Sequence, residues 1–238
     1  MLKVYEHYCH LLIEKKEPNF LCNHASPIKR GFSMYTLYFI PGACSLATQA
    51  IINELGQDVN LVHKLEIDRF ETLNPAGTVP VLKDGDKVLN EGVAIILYLL
   101  NKHKNRLIPD RGEGRHQAIE NMMFANATMH PAYGKLFFAQ ANVTEPKARQ
   151  QVFDAAAVAI NKLWQVVEAK LEHTPYLGGH EISPADILLA VYSRWSEFFP
   201  VDIVLGPHTR EMINAVLERE SIQRAIQREQ DYNARSEA

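Results

Sequence analysis

The chain has 238 residues, with 25 Lys and Arg against 28 Asp and Glu for a formal charge of −3. Its 47% hydrophobic share is enough to pack one large domain or two small ones and excludes intrinsic disorder, while twelve Gly and twelve Pro exclude collagen-like and low-complexity architectures. The near-neutral balance leaves no electrostatic footprint for nucleic acid or an anionic membrane, and the longest apolar stretch, residues 92–100, is about half a membrane span.

Residues 1–33 read differently from the rest. The first twenty predict a short helix with Val4, Tyr8, Leu11 and Leu12 on one face, ended by Pro18; residues 21–33 are rich in turn formers. Lys3, Glu6, His7 and His10 interrupt any signal-peptide core, and three cysteines (Cys9, Cys22 and Cys44) without a CxxC pair point to a reducing compartment. A soluble cytoplasmic protein is expected. Cys9, His10, Cys22 and His24 are soft-metal ligand types, but their spacing matches no familiar zinc pattern. An N-terminal extension of unknown role is therefore expected, and no metal.

From Met34 the pattern sharpens. Tyr35 to Ile40 is aromatic and β-branched and predicts a strand, stopped by Pro41-Gly42. Ser45 to Leu55 repeats apolar residues at helical spacing, with Gly56 where a helix stops. Val59, Leu61 and His63 alternate as a second strand, Thr78 to Leu82 is a third, Asp84-Gly85-Asp86 a turn and Lys87 to Leu89 a fourth; Gly92 to Lys102 is a helix. This β-α-β, connector, β-β-α unit spans 34–107, with a link at 105–114 before an all-helical domain at 115–238. In that domain, residues 115–140 and 148–172 read as long helices. On the second, Val152, Ala156, Ala159, Ile160, Leu163, Val167 and Leu171 form one apolar face. Ser183-Pro-Ala-Asp186 has the chemistry of a capped helix start, with a helix to about Phe199. Two shorter helices, 208–217 and 221–230, follow.

Three constellations carry chemistry. Pro41-Gly42-Ala43-Cys44-Ser45 puts a cysteine at a helix N-terminus, where unpaired N–H groups and the helix dipole favour a thiolate; the plainer reading is a small buried residue. Asn74-Pro-Ala-Gly-Thr-Val79-Pro80-Val-Leu opens a strand with proline; a cis Val79–Pro80 bond would aim the Val79 N–H and C=O at a bound peptide. Asn90-Glu91-Gly92 places an acid before a helix start, either as a ligand contact or as an ordinary first-turn acid.

Together, in this order and with the S-x-A-D box at Ser183–Asp186, these segments resemble the glutathione S-transferase family, most of all its bacterial beta class, over residues 34 to the C-terminus. The resemblance implies an α/β thioredoxin-like N-terminal domain that binds glutathione as co-substrate, and an all-α C-terminal domain that shapes the pocket for the second substrate. It implies that Cys44 lies near the glutathione sulfur with Ser45 beside it, that Val79 pairs by backbone with the cysteinyl part before a cis Pro80, and that Glu91 and Gly92 meet the γ-glutamyl end. It matches His130, in Met129-His130-Pro131, to the histidine sent into the cleft by the helical domain; a surface histidine is the alternative. Three features depart from the beta pattern. The connector 65–74 is several residues short, leaving Arg69 as the nearest base for the glycine carboxylate; the helix before His130 carries Met122 and Met123, so that polar contacts across a dimer are expected to differ; and the extension 1–33 has no counterpart.

The implied activity is conjugation of glutathione to hydrophobic electrophiles, a detoxifying chemistry, in a homodimer. Thiol–disulfide exchange through a low-pKa Cys44 is a second chemistry on the same site, and a hydroxyl donated by Tyr35 or Tyr38 is a third. A non-catalytic binding or regulatory role is the alternative class, since fold does not fix activity.

Overall fold

The computed structural model describes residues 35–236. The first predicted helix, the four Cys and His residues within it and after it, and the whole 1–33 extension lie outside the described residues.

Four short strands form one mixed sheet in the order β2-β1-β3-β4. Strand β1 (Tyr35–Phe39) pairs parallel with β2 (Val59–His63) and antiparallel with β3 (Val81–Asp84), which turns through Gly85 (φ +58°) into β4 (Lys87–Asn90). The inner position of β1 explains its near-continuous apolar run, since both faces are covered. On one face lie α1 (Ser45–Glu54) and α2 (Gly92–Lys102), whose Leu46, Ile51, Ile96 and Leu99 join Leu37 and Leu82 in the main core. On the other, Tyr38, Val81 and Phe70 make a small separate cluster beneath the connector, which folds as two 3-10 turns at Lys64–Glu66 and Phe70–Thr72.

The third strand starts three residues later than predicted. Pro80 has no N–H to give a ladder, Thr78 O accepts instead from Asn74 Nδ2 at 2.8 Å, and the Val79–Pro80 bond is cis.

From residue 113 onward the described residues form helices joined by loops, with no strand and one isolated bridge between Tyr176 and Gly179. The predicted 115–140 helix is interrupted: α3 (Glu113–Met123) and α4 (His130–Asn142) flank a π-helical stretch, Phe124–Met129. Pro131 would drive its ring into the Ala127 carbonyl of a regular helix; the wider turn, with His130 N–H bonded back to Ala125 O, relieves this. Helix α5 (Pro146–Lys170) buries Phe153, Ala156, Ala157, Ile160, Trp164 and Val167. Of the predicted face, Ala156, Ile160, Val167 and Leu171 are buried and Ala159 and Leu163 half-buried; Val152 is exposed, and the buried stripe takes in the aromatic side chains Phe153 and Trp164 beside it.

Helix α6 (Pro184–Ser193) begins as predicted. Its buried Asp186 carboxylate accepts from Ser183 N–H, the Ser183 hydroxyl and Leu177 N–H. It ends in a 3-10 turn, Arg194–Phe198. Helices α7 (Pro207–Leu217) and α8 (Glu220–Ser236) complete the chain, α8 running several residues past the predicted end. Helix α1 packs against both α6 and α8, so the helix that starts at Cys44 is held between the sheet and the helical half.

Candidate active site

A cleft of about 250 Å³ opens where the two halves meet. Its sheet-side wall is built by Cys44, Thr48, Thr78, Val79, Pro80, Glu91 and Gly92, and its helical wall by Asn126, His130, Leu188 and Tyr192.

The Cys44 loop is gripped from the helical half by two hydrogen bonds to one residue. Gly42, at φ +76°, donates its N–H to Glu229 Oε2 at 2.8 Å, and its carbonyl accepts from Trp195 Nε1 at 2.8 Å. Glu229 Oε1 also accepts from Gln49 Nε2 at 2.6 Å. Burial pushes the Glu229 carboxyl up to about 7 against the pull of the Gly42 N–H, Gln49 and Arg194.

Cys44 caps the start of α1, and its thiol donates to Val79 O at 3.5 Å. The predicted low pKa is reversed. Burial raises the thiol to about 11; the N–H groups of Cys44 and Ser45 pull it down without prevailing, and the charges of Glu229 and Glu91 raise it further. Withdrawal from water therefore outweighs the helix terminus here, and Cys44 stands as a protonated thiol at neutral pH.

Not every predicted site residue reaches the cleft. Ser45 is fully buried and its hydroxyl donates to Ile40 O at 3.3 Å, inside the loop. Arg69 is exposed on the connector, in the left-handed region at φ +55°, and is not part of either wall. Tyr35 is engaged with His103 at 2.7 Å, and Tyr38 stands edge-on to Phe70 in the small cluster; neither lines the cleft. Glu91 does, from a φ of +69° that is rare for a residue with a side chain. His130 does also. Burial lowers its pKa, so it is a neutral imidazole, edge-on to Tyr192 and Trp195 at 5.2 Å each.

Sequence reasoning missed Thr48, Asn126, Leu188 and Tyr192 in the walls, and Trp195 and Glu229 behind them. Leu188 and Tyr192 stand four apart on the helix opened by the capping box, so they share a face; that spacing was the available signal. Nothing local marked Glu229. Among the described residues no three His, Cys, Asp or Glu side chains cluster as a metal site. What the cleft offers is a thiol, a phenol, a neutral imidazole, one carboxylate and the N-terminal ends of α1 and α2.

Residues 47–107 match the family model for the glutathione S-transferase N-terminal domain, and residues 123–220 that for the C-terminal domain. The chain is 28% identical over 203 residues to glutathione S-transferase GstA of Escherichia coli O157:H7, covering 81% of this chain and 98% of that one. It is 30% identical to glutathione S-transferase GST-4.5 of Xanthomonas campestris, covering 70% of this chain and 85% of the relative. The solved beta class glutathione S-transferase of Sphingomonas chungbukensis superposes with a TM-score of 0.72 at 27% identity, over 82% of this chain and 98% of the other. With matches on both halves and a cleft formed between them, the chain belongs to the glutathione S-transferase family.

Proposed function

We propose that the protein is a glutathione transferase of beta-class type that conjugates glutathione to hydrophobic electrophiles. The observation that carries this reading is the division of the cleft. One wall presents the backbone of Val79 before cis Pro80, the acid Glu91 and the starts of two helices, groups suited to a peptide with charged ends; the other presents the apolar and aromatic side chains Leu188, Tyr192 and His130. In this reading Val79 pairs with the cysteinyl unit of glutathione, Glu91 and Gly92 meet its γ-glutamyl end, and the acceptor lies against the helical wall. The glycine carboxylate has no partner in the cleft walls, and Arg69 would have to swing in from the connector to serve it.

The chemistry needs a glutathione thiolate at neutral pH. The thiol proton leaves to solvent, the sulfur electron pair forms the new C–S bond, and the electrophile's leaving group departs with its own pair or, in an addition, the product takes up a proton. Preorganised donors at the start of α1 stabilise the thiolate without reorganising. Cys44, protonated, becomes one such donor, and not a nucleophile, when its S–H turns from Val79 O to the glutathione sulfur, which favours transfer over thiol–disulfide exchange as the principal activity. A non-catalytic role draws no support from the close relatives, which are transferases by name.

We further place the protein in the cytoplasm as a detoxifying homodimer, the α/β half of one subunit against the helical half of the other. Leu65 and Val88 on one half and Met123 and Val166 on the other are exposed apolar side chains that a second copy could cover. No helix among the described residues is long and apolar enough to cross a membrane.

The test is conjugation of glutathione to an aryl halide, followed by thioether formation. A rate that saturates in glutathione supports the reading, and no rate above the uncatalysed one overturns it. Cys44→Ala removes one donor to a charged acceptor, worth about 1.5 kcal/mol, and should lower kcat/KM roughly tenfold rather than abolish it. Complete loss would restore Cys44 as a nucleophile.

A further inference from the structure

The cleft contains a hydroxyl that the transferase reading does not use. Tyr192 is fully buried, yet its Oη has no hydrogen-bond partner among the described residues. Two other buried tyrosines differ: Tyr35 is bonded to His103, and Tyr133 pairs with Ser196 Oγ at 2.9 Å while accepting from Trp164 Nε1 at 3.0 Å. A buried hydroxyl without a partner weakens the fold unless something else uses it.

The ring is held on two sides. Tyr192 stacks on Trp195 with centroids 4.7 Å apart and planes 22° apart, and His130 meets it edge-on. Trp195 is in turn bonded to Gly42 O, in the loop that delivers Cys44. The phenol and the Cys44 thiol thus line one cleft from opposite walls, in a relation fixed by a single indole. Burial, and then the nearby Cys44, hold the phenol well above its ordinary pKa, so it is a donor and not a base.

We propose that Tyr192 is a catalytic residue whose hydroxyl donates a hydrogen bond to the glutathione sulfur and stabilises the attacking thiolate. This rests on the transferase reading. No covalent step passes through the phenol: the sulfur's proton goes to solvent, the sulfur's electron pair goes to the electrophile, and Tyr192 keeps its own proton. The sulfur is chosen over the acceptor because Tyr192 and Cys44 line the same cleft, and the family resemblance puts the glutathione sulfur beside Cys44.

The experiment compares the full-length protein with Tyr192→Phe, titrating bound glutathione by the ultraviolet absorbance of its thiolate. The variant should raise the apparent pKa of the bound thiol by about one and lower kcat/KM about tenfold below that pKa, with the rate recovering at higher pH. Below that pKa glutathione affinity should change less than about twofold, because the hydroxyl acts on the charged sulfur alone and the thiol is there bound protonated. The melting temperature should hold or rise, since the deleted oxygen has no protein partner to lose. An unchanged thiol pKa overturns the proposal, including the case in which the rate falls only with acceptors that develop an oxyanion. A lowered melting temperature with an unshifted pH profile also overturns it, as a structural role. Failure of the wild-type protein to bind glutathione would instead sink the transferase reading, visible before any variant is compared.

Discussion

The two walls of the cleft are built on different principles. The sheet-side wall is made mostly of backbone and of loops fixed by Gly and Pro: Gly42 at φ +76°, cis Pro80, and Glu91 at the turn into α2. Its polar groups are largely paired, as where Asn74 Nδ2 holds Thr78 O and Cys44 leans on Val79 O. The helical wall is made of side chains spaced four apart on helices, Asn126 with His130 and Leu188 with Tyr192, and it contains the unpaired phenol. A backbone wall recognises an invariant ligand, and a side-chain wall can vary with the substrate without disturbing the first. If this division is right, substitutions behind the cleft should damage both walls, and those on the helical wall, Tyr192 apart, only the second substrate.

The largest expected effect is at the hinge between them. Trp195 bonds Gly42 on one side and packs against Tyr192, His130, Tyr133 and Phe137 on the other. Trp195→Ala should cost about 3–5 kcal/mol of stability, measured by denaturant unfolding, by the scale of buried aromatic truncations. It should also weaken glutathione binding by freeing the Gly42 loop. A variant that loses stability but binds glutathione normally would show that the sheet-side wall stands without the indole.

Next is the buried acid on the other side of that loop. Glu229 has its carboxyl raised to about 7 from an ordinary 4.5, so the folded state holds the proton more tightly than the unfolded one. Its contribution to stability is therefore full below pH 4.5 and is lost as pH rises toward 7, a decline of roughly 3 kcal/mol over that window. Arg194 opposes the shift and limits it. Glu229→Gln should remove this slope, since the amide does not titrate and can still accept from Gly42 N–H. It also brings a donor near Gln49 Oε1, which is buried without a partner. Unfolding curves from pH 4.5 to 8 that fall equally steeply in both proteins would refute this.

The same division explains what the sequence disclosed. The PG-x-C-S turn, the Val79–Pro80 step and the Glu91–Gly92 start are legible because Gly and Pro at short spacing force particular backbone shapes, and backbone is what that wall is made of. The four strands and the capped start of α6 were readable for similar local reasons. The π-helical stretch reads as regular helix although Pro131, which causes it, is in view, and on α5 the burial of Phe153 and Trp164 in place of Val152 is settled by packing against distant residues. The pKa of Cys44 is the sharpest case: its position at a helix start is local and predicts a thiolate, while its burial is tertiary and wins. Tyr192 and Glu229 reach the site across 148 and 185 residues of sequence from Cys44, a distance at which no periodicity connects them.

A smaller effect belongs to the helix that presents the side-chain wall. Ser183 gives its N–H and hydroxyl to Asp186, both at 2.8 Å or less, at the start of α6. Ser183→Ala leaves a buried carboxylate one donor short and should cost about 1–2 kcal/mol. The melting temperature records that loss. The expected partner to it is lower activity, because α6 holds Leu188 and Tyr192; full activity in a destabilised variant would mean that the wall tolerates a frayed helix start.

The smallest change tests the division most directly. Leu188 is buried on the helical wall, one turn before Tyr192, and touches the part of the cleft assigned to the acceptor. Leu188→Met keeps nearly the same volume in a flexible side chain, so stability should fall by less than about 1.5 kcal/mol. An added or missing methylene-sized contact in an apolar pocket is worth about 1–3 kcal/mol between competing substrates. The ratio of kcat/KM values for a bulky and a slender electrophile should therefore shift several-fold, while the glutathione Kd from calorimetry stays put. Were the glutathione Kd to move and the electrophile ratio to hold, Leu188 would belong to the peptide side. The two walls would then be a single surface that both substrates share.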